Sequence, residues 1–66
     1  MEVTVNGEKK SFAEPLTIGG MLQLLGINSK SVVVEKNLNI VARSDMERES
    51  ISEGDVVEII RLVGGG

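Results

Sequence analysis

The chain has 66 residues, 41% of them hydrophobic, with ten acidic against seven basic side chains for a net charge of −3. It has no Cys, His, Tyr or Trp, and Phe12 is its one aromatic residue. These counts exclude disulfides, a zinc site of the usual ligands, a thiol nucleophile and an imidazole base, and the acidic balance argues against nucleic acid or an anionic membrane as a partner.

One small domain is expected, and its stability must come from packed aliphatic side chains, because a core of this size supplies only ~3–5 kcal/mol net. Val3 and Val5 alternate with Glu2 and Thr4 as in a half-buried strand. Asn6-Gly7 follows, the strongest two-residue hairpin signal, and Glu8 to Phe12 returns as the second strand. Pro15 closes the next loop and Thr17 stands where a helix cap is needed. Ile18, Met21, Leu22 and Leu25 follow the i, i+3, i+4, i+7 spacing of one buried stripe, and Leu16 with Met21 can staple the helix start. Gly26 is placed as the left-handed stop. Gly19 and Gly20 weaken the first turn, and close packing against a neighbouring strand is the expected reason rather than a phosphate cradle.

Ser31 to Lys36 carries three consecutive valines and reads as a buried strand. Asn37-Leu38-Asn39 turns the chain into a short strand at Ile40-Val41. Ser44-Asp45-Met46-Glu47 matches an S-x-x-E capping box for a single helical turn. Ser52 to Asp55 is another turn, and Val56 to Val63 is the last strand. Glu58 and Arg61 interrupt that stretch, so it cannot span a bilayer. Strand-like alternation begins at residue 2 and leaves no room for a signal peptide, so a soluble cytoplasmic protein is expected.

Two strands, a crossover helix and then further strands imply an α+β fold: a mixed sheet of four to five strands with one main helix packed across one face. The first and last strands would lie side by side and parallel at its centre. This is the β-grasp, or ubiquitin-like, arrangement, expected over residues 1–63, followed by a flexible glycine tail over 64–66.

In the last strand, Val57 and Ile59 fall on one face and Glu58, Ile60 and Leu62 on the other. With Val57 and Ile59 turned to the helix, Ile60 and Leu62 lie on the open face together with Val33, as a docking patch beside the tail. Glu35 reaches the helix side only if its strand bulges.

No residue set for autonomous catalysis appears. The carboxylates are scattered, no metal ligand set converges, and the glycines fit neither the P-loop nor the dinucleotide-binding spacing. The closing Val63-Gly64-Gly65-Gly66 has no functional side chain, so chemistry there must use a backbone carboxylate. From Val63 to Gly66 such a thread reaches up to ~13 Å when extended, enough to enter another protein's narrow active site.

The order and spacing of several short motifs carry a family likeness. They are Val3-x-Val5-Asn6-Gly7-Glu8, then Val32-Val33-Val34-Glu35-Lys36-Asn37 with Ile40-Val41-x-Arg43-Ser44, then Glu53-Gly54-Asp55-Val56-Val57-Glu58-Ile59-Ile60-Arg61, and the final glycine run. Across its whole length the chain resembles the thiamine-biosynthesis sulfur carriers, the ThiS family. It departs from that pattern at Met46, where the family often has Trp; at Asn37-Leu38-Asn39, where Asn-Gly-Glu is common; and at Gly19-Gly20, where Ala-Glu is common.

The resemblance implies a protein cosubstrate rather than an enzyme, with no bound cofactor and no metal. A ThiF-like adenylyltransferase would use ATP to adenylate the carboxylate of Gly66. Sulfur drawn from cysteine by a desulfurase would convert it to a thiocarboxylate, and a ThiG-like thiazole synthase would take that sulfur into the thiazole ring of thiamine. Ile60, Leu62, Val63, Gly64 and Gly65 would bind the partners of an otherwise monomeric carrier. A molybdopterin carrier of the MoaD kind, a ubiquitin-like modifier forming isopeptide bonds and a non-covalent β-grasp interaction module remain the alternatives.

Overall fold

The computed structural model describes residues 1–62. Val63 and the expected glycine tail, residues 64–66, lie outside the described residues.

Strands β1 (Glu2–Val5) and β2 (Glu8–Ser11) form an antiparallel hairpin in register from Glu2↔Ser11 to Val5↔Glu8. Asn6 and Gly7 have φ of +50° and +83°. A two-residue hairpin needs positive φ at both central positions to match the twist of its strands, and Asn-Gly supplies both at little cost.

Helix α1 (Ile18–Leu24) starts and stops at the expected residues. The Thr17 hydroxyl accepts the Gly20 N–H at 3.0 Å, as an N-cap should. Gly26, at φ +71°, donates to the Gln23 carbonyl at 3.1 Å while Ile27 donates to Leu22 at 2.9 Å. This pair of bonds is the Schellman closure that satisfies the last carbonyls of a helix. The stripe of Ile18, Met21 and Leu22 is buried, with Leu16 and Leu25 packed at its margin.

The close approach at Gly19 and Gly20 is not to a strand. A Cβ on Gly19 would run into the Glu47 carboxylate, and one on Gly20 would lie 3.0 Å from Leu16 Cδ1. The first amides of α1 are engaged by the loop that carries Glu47: Ile18 donates to Glu49 O at 2.9 Å and Gly19 to Met46 O at 2.8 Å. Glycine at position 19 lets that loop lie directly on the helix start.

Strand β3 (Val32–Lys36) begins one residue later than expected because Ser29–Ser31 form a 3-10 turn, capped by Asn28 Oδ1 on the Lys30 N–H at 2.9 Å. β3 turns through Asn37 and Leu38 into β4 (Asn39–Val41), with Lys36 opposite Asn39. The expected capping box at Ser44 and Glu47 does not form. The 3-10 turn spans Arg43–Asp45 with Ala42 ahead of it, no side chain caps it, and Glu47 lies against Gly19. Strand β5 (Val56–Arg61) leaves Leu62 beyond its end, and the expected end at Val63 lies outside the described residues.

The sheet order is β2-β1-β5-β3-β4, with β1 and β5 parallel and the other pairings antiparallel. The last strand is therefore central, beside the first, as expected. Val3, Val5, Val34, Val57 and Ile59 face α1, joined by Val32, Val41, Met46 and Ile51. Among the described residues no polar or charged one is buried. Each fully buried aliphatic contributes about 1.5–3 kcal/mol relative to exposure, so this one-sided aliphatic layer, with Phe12 packed half-buried against it, holds the fold without cross-links.

Candidate functional site: the open face of the last strand

One helix covers one face of the sheet and leaves the other open, and β5 runs through the middle of both. Backbone pairing to β1 is short, covering Thr4↔Val56 and Val5↔Val57, because the chain turns away at Asn6. The Asn6 side chain extends it: Oδ1 accepts the Ile59 N–H at 2.7 Å while Asn6 N donates to Val57 O at 2.9 Å. Asn37 does the same at the start of β5. Its Oδ1 accepts the Val56 N–H at 2.9 Å, its own N–H donates to Val56 O at 2.8 Å, and its Nδ2 donates to Asp55 Oδ1 at 3.0 Å. Both asparagines read from sequence as turn formers only. Positive φ frees their amides from their own strands, and that is the signal for the second role.

Asp55 completes this junction by accepting the Ser52 N–H at 2.7 Å. Partial burial pushes its carboxyl upward, but the bonds from Asn37 and Ser52 and the charge of Lys36 outweigh that, leaving the pKa below the ordinary 3.8. The carboxylate is therefore held ionised where β5 begins.

Further along β5 the side chains alternate as expected. Val57 and Ile59 are buried against the helix, whereas Ile60 and Leu62 are 47% and 50% exposed on the open face. Val33 stands directly opposite Ile60 and joins them. Leu62 is fixed at the end of the strand by its N–H to Ser31 O at 2.9 Å. β3 has no bulge, so Glu35 lies on the open face, opposite Glu58. Two of the five expected partner-binding residues, Ile60 and Leu62, are thus brought together. The other three, Val63, Gly64 and Gly65, and the expected modification point Gly66 lie outside the described residues.

The open face holds more than the sequence reading anticipated. Leu38 and Ile40 are 89% and 71% exposed, and Val56 is also exposed. Ile40 pairs with Glu35, so the apolar surface continues across β3 onto β4. Among the described residues no group of three or more acidic side chains converges as a metal site, and no helix is long and apolar enough to cross a membrane.

Five strands in this order, with a parallel central pair and a single helix on one face, define a β-grasp domain whose other face is open and partly apolar. The chain belongs to the ThiS family, whose model matches residues 2–66. It is 38% identical over 66 residues to a thiazole synthase of Paramagnetospirillum magneticum, covering all of this chain and 20% of that protein. The chain therefore spans about a fifth of the length of that relative. It is 34% identical over 50 residues to the sulfur carrier protein ThiS of Bacillus subtilis, covering 76% of each. The crystal structure of the thiamine biosynthesis protein ThiS from Geobacter metallireducens superposes with a TM-score of 0.87 at 32% identity, covering both chains completely.

Proposed function

We propose that this chain is a sulfur carrier of thiamine biosynthesis whose working group is the carboxylate of Gly66. The observation that carries the reading is the match to the ThiS family, which runs through the glycine run to residue 66. The likeness to the Geobacter metallireducens and Bacillus subtilis proteins, both named ThiS, supports it. The reading requires Gly66 to bear a free carboxylate.

A carboxylate is a poor electrophile because its charge is spread over two oxygens. A ThiF-like adenylyltransferase removes that obstacle. A carboxylate oxygen attacks the α-phosphorus of ATP, pyrophosphate leaves, and the product is an acyl adenylate with AMP as leaving group. The outer sulfur of a cysteine desulfurase's persulfide attacks the acyl carbon and displaces AMP, and a thiol then reduces the resulting acyl disulfide, releasing the thiocarboxylate and leaving a disulfide. A thiazole synthase then consumes it, and the alignment of this whole chain with part of a protein named thiazole synthase favours that partner. The chain acts as cosubstrate. It supplies no acid, base or metal, and ATP belongs to the activating enzyme, which suits a cytoplasmic setting.

The domain contributes docking and aim. Ile60 and Leu62, with Val33, offer an apolar surface at the end of β5. Val63, Gly64 and Gly65 would then lead the carboxylate into a closed site, where the acyl adenylate is kept from water. Side chains at the glycines would obstruct such a passage.

Complementation tests the reading. The chain should restore growth without thiamine to a bacterial strain lacking its own ThiS, and the variant deleted for Gly66 should not. Rescue of a strain lacking its molybdopterin carrier instead would overturn the thiamine assignment.

A further inference from the structure

Glu35 and Glu58 are directly opposed neighbours on β3 and β5. Directly opposed residues on antiparallel strands have Cα atoms only about 4.5–5.5 Å apart, and like charges so placed repel. Neither carboxylate forms an ion pair among the described residues, whose pairs are Lys9–Glu2, Lys10–Glu8, Lys36–Glu49 and Arg48–Asp45. Lys36, next to Glu35 in sequence, points to the other side, 2.6 Å from Glu49.

Glu35 and Glu58 line an open, mostly apolar cleft of about 410 Å³ whose other walls are Asn37, Leu38 and Val56. Leu38 stands there at φ +73°, a left-handed conformation that a leucine adopts only at a steric cost, with its side chain almost wholly in solvent. Three unfavourable features thus meet at one end of the open face: opposed like charges, a strained leucine and exposed aliphatic surface. A single complementary occupant would relieve two of them.

We infer that the protein docking on this face presents an arginine that enters between Glu35 and Glu58, flanked by apolar groups that cover Leu38 and Val56. The inference rests on the carrier reading above and names the chemistry of its activating partner. Arginine fits better than lysine because its planar fork has five donors and can bond two adjacent carboxylates at once, whereas an ammonium acts as a point charge. The cleft's β5 residues, Val56 and Glu58, lie four to six residues, or roughly 13–20 Å, along the strand from Leu62. A partner seated over the whole face would therefore grip both ends of the strand, with the charge pair fixing its register.

The test measures binding of the cognate ThiF-like adenylyltransferase by calorimetry at several NaCl concentrations, for the unaltered chain, Glu35→Gln, Glu58→Gln and the double variant. The double variant should bind about ten- to a hundredfold more weakly at low salt, with a flattened salt dependence and a Tm equal to or above that of the unaltered chain. Unchanged affinity and salt slope in the folded double variant would overturn the inference. So would self-association of the chain through this face, abolished by the same substitutions, because the occupant would then be a second copy. Acyl-adenylate formation on the unaltered chain, followed in parallel, separates this outcome from failure of the carrier reading itself, in which no adenylate forms on any variant.

Discussion

Asn37 joins the middle hairpin to the start of β5 through two side-chain bonds, to Asp55 and to the Val56 amide. Asn37→Ala should therefore cost about 1–2 kcal/mol in urea unfolding, more than an ordinary surface substitution. Asp55 makes the same junction sensitive to acid. Its folded pKa is depressed, so its contribution to stability is complete above the ordinary value of 3.8 and is lost as pH falls through the folded value. The stability difference between the unaltered chain and Asp55→Asn should accordingly be constant near neutrality and shrink below that pH; a difference that grew on acidification would contradict the assignment. Leu38 behaves oppositely. Leu38→Gly removes the left-handed strain and should stabilise the isolated domain by about 1 kcal/mol, while weakening partner binding.

At the scale of elements, α1 was legible because both of its ends are chemically marked, by the Thr17 hydroxyl and by Gly26. Gly26→Ala should cost about 1 kcal/mol in thermal or urea unfolding, since φ +71° penalises a Cβ. The alternation along β5 was equally legible, and it separates two kinds of substitution. Val57→Asp places a charge in the core and should abolish folding. Ile60→Asp and Leu62→Asp should leave Tm within a few degrees yet strongly impair adenylation, and normal adenylation of both folded variants would move the docking patch elsewhere. What the sequence concealed were features set by tertiary approach. The S-x-x-E pattern at Ser44 is a real local signal, but Glu47 lies against Gly19, and the turn forms two residues earlier, with Ala42 rather than Ser44 ahead of it and no side-chain cap. The pinning of β5 by Asn6 was hidden for a similar reason, because Ile59 is 53 residues away in sequence.

For the whole molecule, the division of labour follows from having one helix for one sheet. The covered face holds the apolar core, and the open face has an aliphatic patch at the end of β5 and an acidic, leucine-edged cleft at its beginning. On the proposed reading this face holds the partner while Gly66 reacts. The most direct test is intact mass after incubation with ATP, the cognate adenylyltransferase and sulfide, with fragmentation to locate the change. The account predicts a gain equal to the difference between sulfur and oxygen, confined to Gly66 and absent from the folded chain lacking that residue. Sulfur found on the deleted chain, or at any position other than Gly66, would contradict it.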